Sequence, residues 1–418
     1  MLSRYLIGWK KIKYNKIANS GMGITILKSE LTDEYTEGYT PVYSATKEDK
    51  YFGYLENPKL LLQKDDLIIP ARGNSIGHVK IAHEIVSTTQ TTIYSRINQE
   101  IAFPKFIYYV SLGMKDIWFD FTNTAIPQIT VNQINNNELY LPNMIKQKKI
   151  CKILDGKIGN INDIIFLTKC SIEELKKYKQ SLITEVVTKG LDKNVEMKDS
   201  GIKIIGDIKK SYKIIPLKYI GSFQNGISKP SDYFGEGDPF ISYGDVYNNR
   251  ALPKNVIGLA KSSKQEQIQY SVEEGDIFFT RTSETLEEIA FSSICFKTIP
   301  KAVFSGFVIR FRPYKLENIN LMFLSYYLES EYIRHYFARE MNIVTRASLS
   351  QSLLGSLPII QPSIEEQQEI VDYIHPKIKN IDSLIRDKYE IIKEYESYKK
   401  SLIYEYVTGK KEVGEEVE

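Results

Sequence analysis

The chain has 418 residues, with 55 Lys and Arg against 52 Asp and Glu and a formal net charge of +3; the length predicts two or three domains, and the balance excludes a generic polycation. At 42% hydrophobic and 26% charged residues it can build a sizeable core, while its apolar runs are short and broken by Lys, Asp or Gly, which excludes a membrane span. The opening "MLSRYLIGWKKIKYNK" is apolar for too few residues to act as a secretory signal, so a cytoplasmic location is expected.

Residues 1–142 read as one mixed α/β domain, with strand candidates "DLIIPAR" and "TTIYSRI" and a helical run through "FIYYVSLGM". Arg72, Asn74 and Ser75 follow the first strand, and Gln128, Thr130, Asn132 and Gln133 lie in "IPQITVNQ". Arg can fork onto guanine, and Asn or Gln onto adenine. Taken singly these residues are what a solvated turn contains; as clusters on loops they become candidates for contact with bases.

Residues 143–200 carry a heptad stripe of Ile161, Ile165, Ile172, Leu175, Leu182 and Val186, with Thr168 and Lys179 at the polar seam positions. The stripe predicts one long helix, stopped by the Gly of "VTKG" in a left-handed cap. Gly156 and Gly159 predict a kink or interruption in its early part, as Pro376 does in the matching later segment.

Residues 201–357 repeat the first domain's plan with "DIFFTRTS", "SGFVIRFRP" and the helical run "LMFLSYYLESEYIRHYF". Arg281, Thr282 and Ser283 stand where Arg72, Asn74 and Ser75 stood, and Arg346, Ser348, Ser350 and Gln351 fall in "VTRASLSQ". Residues 358–418 repeat the stripe as Ile381, Ile385, Ile392, Tyr395, Leu402 and Tyr406, with Lys388 and Lys399 at its polar positions.

The two striped segments superpose without a gap. An offset of 220 sets Gln147 on Gln367, Ile150 on Ile370, Asn160-Ile161 on Asn380-Ile381 and "SLI" on "SLI". Upstream, Leu141-Pro142 pairs with Leu357-Pro358 if the second copy carries four extra residues. Weaker echoes keep the same order, "WKKIKYNKIANSGMGI" with "YKIIPLKYIGSFQNGI" among them, so the chain is a tandem duplication.

Residues 143–190 hold ten basic against five acidic residues, net +5, and residues 358–418 hold nine against fourteen, net −5. Like stripes with opposite charge predict that the segments pair with each other. The expected fold class is α+β: two mixed α/β domains separated by two long antiparallel helices forming a coiled coil, with an internal pseudo-twofold repeat. Helices of roughly 40 residues rise ~60 Å, a little under two turns of duplex, and could act as a ruler.

Catalytic patterns are missing. The sequence holds neither a phosphate-cradling GxxxxGK[ST] loop nor HExxH, and lacks the Asp/Asn-Pro-Pro-aromatic run with which an amino-methyltransferase holds a flipped base. Cys151, Cys170 and Cys295 lack metal-ligand spacing and read as buried thiols; His78, His83, His335 and His375 are scattered. Asp65-Asp66 and Glu287-Glu288 read as solvated loop charges, so no nuclease site is expected and the chain is read as non-enzymatic.

On these motifs the chain resembles the specificity subunit of type I restriction-modification enzymes. "LPIIQPSIEEQQEIVDYI" is similar to that family's helix opening, and "YKQSLITEVVTKG" and "YKKSLIYEYVTGK" to its helix endings, while "LYLPNMIKQKKI" lacks the second Pro and the Glu before Gln147. The resemblance implies a first target-recognition domain at 1–142, a central conserved region at 143–200, a second recognition domain at 201–357 and a conserved region at 358–418. It implies a split, asymmetric site on double-stranded DNA, two modification subunits that methylate adenine, and restriction subunits where the system has them. S-adenosylmethionine, ATP and Mg are expected on those partners and none on this chain. The residues alone leave open a protein-binding scaffold on a coiled-coil spacer, or a related defence system with a fused methyltransferase-nuclease.

Overall fold

Leu67–Pro70, the strand predicted from "DLIIPAR", is buried at all four positions because it lies between two antiparallel neighbours, Lys80–Ile81 and Thr92–Ile97. Ala18–Met22 completes this sheet on the far side of Thr92–Ile97. The computed structural model describes residues 8–119, 127–192, 194–203, 205–283, 289–340 and 347–413. The chain divides into two units, Met1–Lys169 with Lys388–Glu418, and Cys170–Asp387.

The first unit adds a three-stranded sheet to the four-stranded one. Thr40–Tyr43 lies between Gly53–Leu55, antiparallel to it, and Ser87–Thr88, parallel to it. A ribbon of Lys10–Lys13 with Glu138–Leu141 leads to the first long helix, Met144–Lys189.

The second unit repeats this plan and adds a hairpin of Met197–Asp199 with Asp207–Lys209. Its four-stranded sheet runs Gly221–Asn225, Val308–Pro313, Ile277–Thr280, Ser292–Ile294. In its three-stranded sheet Phe234–Ile241 lies between antiparallel Leu259–Ala260 and parallel Val303–Phe304. Lys213–Pro216 pairs with Pro358–Gln361 ahead of the second long helix, Ile364–Val407.

The echo ending in Gly-Ile has a steric cause. A Cβ on Gly23 would sit 2.2 Å from the Thr89 carbonyl oxygen, and one on Gly226 would sit 2.1 Å from that of Phe304. Only glycine lets the strand pass so close to a neighbouring backbone in either half.

Each long helix starts in the same way. Gln147 Nε2 donates to the Pro142 carbonyl at 2.9 Å, and Gln367 Nε2 to the Pro362 carbonyl at 3.0 Å. Asn143 Oδ1 caps the Lys146 N–H at 2.9 Å, and Ser363 Oγ caps that of Glu366 at 3.3 Å. Pro142 therefore corresponds to Pro362 rather than Pro358. The offset of 220 extends back through the ribbon with no extra residues, and the two helix openings are alike.

Both helices run without the interruption expected near Gly156, Gly159 and Pro376. Nothing lies within 4 Å of where a Cβ would stand on Gly156 or Gly159, so no close neighbour demands glycine at either position. At Pro376 the helix forgoes one hydrogen bond and continues, held by Ile374 and Ile378, both buried in the core. Gly190 and Gly409 take left-handed conformations after the helix ends, at φ +77° and +71°.

The stripe faces inward along both helices. Ile161, Ile165, Ile172, Ile381, Ile392 and Leu402 are buried, and Leu175, Leu182, Ile385 and Tyr395 are half-buried. The antiparallel sense is visible inside each unit. Lys399 of the second helix reaches Asn162 of the first in one unit, and Lys179 of the first reaches Asp382 of the second in the other. In the second unit Ile183, Val186 and Val187 join Phe279, Phe311, Tyr326 and Ile374 in one core, so the helices are part of the domain they carry. Each buried aliphatic side chain contributes about 1.5–3 kcal/mol.

Candidate nucleic-acid interface

In the first unit the fold joins the two polar clusters that the sequence places on separate loops. Arg72 stands opposite Gln128 in an antiparallel bridge. The Ile129 N–H donates to the Ala71 carbonyl at 2.9 Å, and the Gly73 N–H to that of Pro127 at 3.0 Å. Gly73 makes the turn at φ +69° and opens a short 3-10 segment, Gly73–Ser75. Arg72, Asn74 and Gln128 are at least partly exposed on this ribbon.

Their neighbours have structural roles. Ser75 is buried, and its hydroxyl donates to the carbonyls of Ala45 at 2.8 Å and Arg72 at 3.2 Å, so it fixes the turn. Thr130 and Gln133 form a capping box: the Gln133 N–H donates to Thr130 Oγ1 at 3.2 Å and the Thr130 N–H to Gln133 Oε1 at 2.8 Å. Asn132 is exposed, and its Oδ1 accepts from Asn136 Nδ2 at 3.1 Å.

The second unit builds the same ribbon. Thr282 pairs with Ser348 and Ser283 with Ala347, and the Leu349 N–H donates to the Arg281 carbonyl at 2.7 Å. By this register Thr282, not Arg281, occupies the place of Arg72, and Arg281 occupies that of Ala71. Arg281 is half-buried, and its Nη1 reaches the Gly306 carbonyl at 3.5 Å. Ser350 caps the following helical turn through the Leu353 N–H at 3.0 Å, as Thr130 does in the first unit. Gln351 Nε2 donates to Asn225 Oδ1 at 3.1 Å, and Ser348 is exposed. Arg346 lies outside the described residues.

A set of cations beside the first ribbon has no counterpart among the residues expected from the sequence. His78 is held below its ordinary pKa by burial, and then by Lys115, Lys47, Lys400 and Lys80. Lys80 is buried and spends its ammonium on the Ser44 carbonyl at 3.2 Å and Thr46 Oγ1 at 2.6 Å. The cations come from segments distant in sequence, so no local pattern announces them.

Two of the acidic residues are committed to strand contacts. Asp66 is buried, unlike the solvated charge expected, and its Oδ2 accepts from Arg96 Nε at 3.1 Å. Asp276 repeats this with two bonds of 2.6 Å from Arg312; both pairs pin the strand bearing the ribbon. Glu287 and Glu288 lie outside the described residues. Burial pushes the thiols of Cys151 and Cys295 up to about 12, whereas Cys170 is exposed rather than buried. Among the described residues no group of three His, Cys, Asp or Glu side chains could hold a metal, and no helix is long and apolar enough to cross a membrane.

The chain matches the family described as "Type I restriction modification DNA specificity domain" over residues 7–177 and 209–394. It is 24% identical over 404 residues to the type I restriction enzyme MjaVIII specificity subunit of Methanocaldococcus jannaschii, covering 91% of this chain and 88% of that protein. It is also 24% identical over 415 residues to the EcoBI specificity subunit of Escherichia coli, covering 90% and 80%. A chain from the solved structure described as "Structural basis underlying complex assembly and conformational transition of the type I R-M system" shares the fold. Its TM-score is 0.69 at 15% identity, over 96% of this chain and 97% of that one.

Proposed function

This chain belongs to the type I restriction-modification DNA specificity family, and from that premise we propose that each of its two recognition domains reads one part of a split, asymmetric DNA site. The chain is a DNA-recognition subunit without catalysis of its own. It binds double-stranded DNA and assembles with two methyltransferase subunits and, where present, with restriction subunits. S-adenosylmethionine, ATP and Mg would be held by those partners, and the assembly would work in the cytoplasm.

One observation carries the two-part reading. The same ribbon is built twice in the same register, with Arg72 and Gln128 presented on one copy and Thr282 and Ser348 on the other. Equal scaffolds bearing unequal side chains are what an asymmetric site requires, since base contacts specify while the backbone positions them. Arg72, Asn74 and Gln128 would read the first half-site; Thr282 and Ser348, with Arg281 behind them, would read the second. The two long helices would set the spacer. A protein scaffold would have no need for ribbons differing in base-reading groups.

Mapping methylated adenines in a genome carrying this gene, with and without it, tests the reading. A split motif should disappear on deletion. An unchanged methylation map, with the methyltransferase subunit still made, would count against it.

A further inference from the structure

The loop after Arg72 continues past the ribbon into a cationic surface. The His78 N–H donates to the Ser75 carbonyl at 3.0 Å. Gly77, at φ +75°, lies against Lys115 and Phe119, whose carbons would stand 2.8 and 2.7 Å from a Cβ there. Ser75 ties the same loop to Ala45, two residues before Lys47. Lys115 follows the helix Pro104–Gly113, whose end abuts the second long helix: a Cβ on Gly113 would meet Val407 at 2.8 Å and the Tyr404 backbone at 3.2 Å. Lys400 lies one turn before Tyr404. Four segments thus bring Lys47, His78, Lys115 and Lys400 into one charged neighbourhood, around the loop that follows Arg72 and Asn74.

The neighbouring carboxylates do not neutralise them. Asp116 acts on Lys115, and Asp49 and Glu48 act on Lys80. Among the described residues, however, no carboxylate forms an ion pair with Lys47, Lys115 or Lys400.

The second unit shows that the fold does not need this charge. Its register places Gln180 at the position of Lys400, Tyr332 at that of Lys115 and Asp245 at that of Lys47. There the junction closes with hydrogen bonds, Gln180 Nε2 to the Glu329 carbonyl at 2.6 Å and the Glu331 N–H to Thr184 Oγ1 at 3.0 Å. Asp245 serves as the cap partner of Ser242. A cationic junction in one half and a hydrogen-bonded one in the other calls for an anion in the first.

We propose that Lys47, Lys115 and Lys400, gathered around His78, hold the DNA phosphate backbone next to the half-site read by Arg72, Asn74 and Gln128. The second long helix thereby helps to hold the first half-site. This rests on the recognition function above, and goes beyond it by assigning a positioning role to a helix residue from the other repeat.

The test uses the full complex with its methyltransferase subunits and a duplex carrying the methylated site. Lys115→Gln with Lys400→Gln should weaken binding by the same factor for every half-site sequence. The slope of log affinity against log salt should fall by about 0.9 for each phosphate that is no longer neutralised. The methylated motif should not change, and Lys115→Arg with Lys400→Arg should keep the slope of the unsubstituted complex. Lys393→Gln, on the same helix and paired with Glu390 at 3.5 Å, should leave it unaltered. Should the double variant fail to assemble, exposed Lys400→Gln alone carries the same expectation at about half the size.

An unchanged slope, or a loss confined to particular bases, overturns the phosphate site while the recognition function stands. A wild-type complex that methylates no split motif overturns the recognition function itself.

Discussion

Lys179 donates its ammonium to the Asp382 carboxylate at 2.6 Å, and the offset that carries Lys179 to Lys399 also carries Asn162 to Asp382, where Lys399 meets the Asn162 amide oxygen at 3.0 Å. The repeat therefore makes one cross-helix contact twice, ionic in one unit and neutral-acceptor in the other. Glu329 adds a second carboxylate 3.5 Å from Lys179, whose side chain is only 16% exposed. A charged hydrogen bond is worth roughly twice a neutral one, discounted here because Asp382 is 43% exposed. Asp382→Ala should cost about 1–2 kcal/mol in thermal or denaturant unfolding, and Asn162→Ala about 0.5–1 kcal/mol. Equal losses would mean that the charge adds nothing.

Gln147 and Gln367 should be costlier to lose. Gln367 accepts from the Asn320 N–H at 2.9 Å and donates to the carbonyls of Asn318 at 3.1 Å and Pro362 at 3.0 Å. Gln147 accepts from the Phe103 N–H at 2.7 Å and donates to the Pro142 carbonyl. Each fastens the start of a long helix to the start of a domain helix, and both are buried. An isosteric apolar residue would leave these backbone groups unpaired at about 1–3 kcal/mol each. Gln367→Leu should therefore lower stability by more than Gln147→Leu, which strands two groups rather than three; the reverse order in unfolding experiments would break the argument.

These two glutamines show what was legible in the sequence. They fixed the offset correctly, and the stripe from Ile161 to Leu182 was readable because a heptad is local and its burial one-sided. The ribbon between Arg72 and Gln128 was not, because strand partners far apart in sequence leave no periodic trace. Matching Arg72 to Arg281 by identity erred by one residue, since backbone register, which places Thr282 opposite Ser348, decides equivalence. Pro358 drew the Leu-Pro alignment away from Pro362 for the same reason. Asp66 read as solvated because its partner, Arg96, lies on another strand.

Register also orders the specificity variants. Arg72→Ala should relax one base of one half-site by about 1–3 kcal/mol of discrimination and leave the other half untouched. Thr282→Arg, which copies Arg72 onto the matching ribbon, should change the base preferred in the second half-site, whereas Ser75→Ala should lower stability without changing the motif. Methylation maps of strains carrying each variant check all three, and a Thr282→Arg strain with an unchanged second half-site would argue against the matched register.

His78 offers a pH readout. Its pKa is depressed first by burial and then by Lys115, Lys47, Lys400 and Lys80, with Phe119 closing over Gly77 beside it. A histidine depressed in the folded state takes up its proton later than in the unfolded chain. Its contribution to stability is therefore complete above about pH 6.5 and is lost as pH falls from there towards the folded value. Lys115→Gln with Lys400→Gln should raise the His78 pKa only part of the way in an NMR titration, because burial remains. Complete recovery would assign the shift to charge alone.

The helices give the last prediction. Four residues inserted between Ile165 and Ile172, and four between Ile385 and Ile392, fall where the chain passes from one unit to the other, at Lys169 and at Asp387. Four residues add about 6 Å of helical rise and advance the helix by slightly more than one turn, so the stripe keeps its face with a small rotation. If the helices set the spacer, the tolerated gap should lengthen by about two base pairs at ~3.4 Å each, while both half-sites keep their sequence. Inserting into one helix alone should break the alignment of Lys179 with Asp382 or Lys399 with Asn162 and lower stability instead. A methylation map showing altered half-sites with the original spacer would contradict this division of labour, because the ribbons that carry Arg72 and Thr282 are untouched by the insertion.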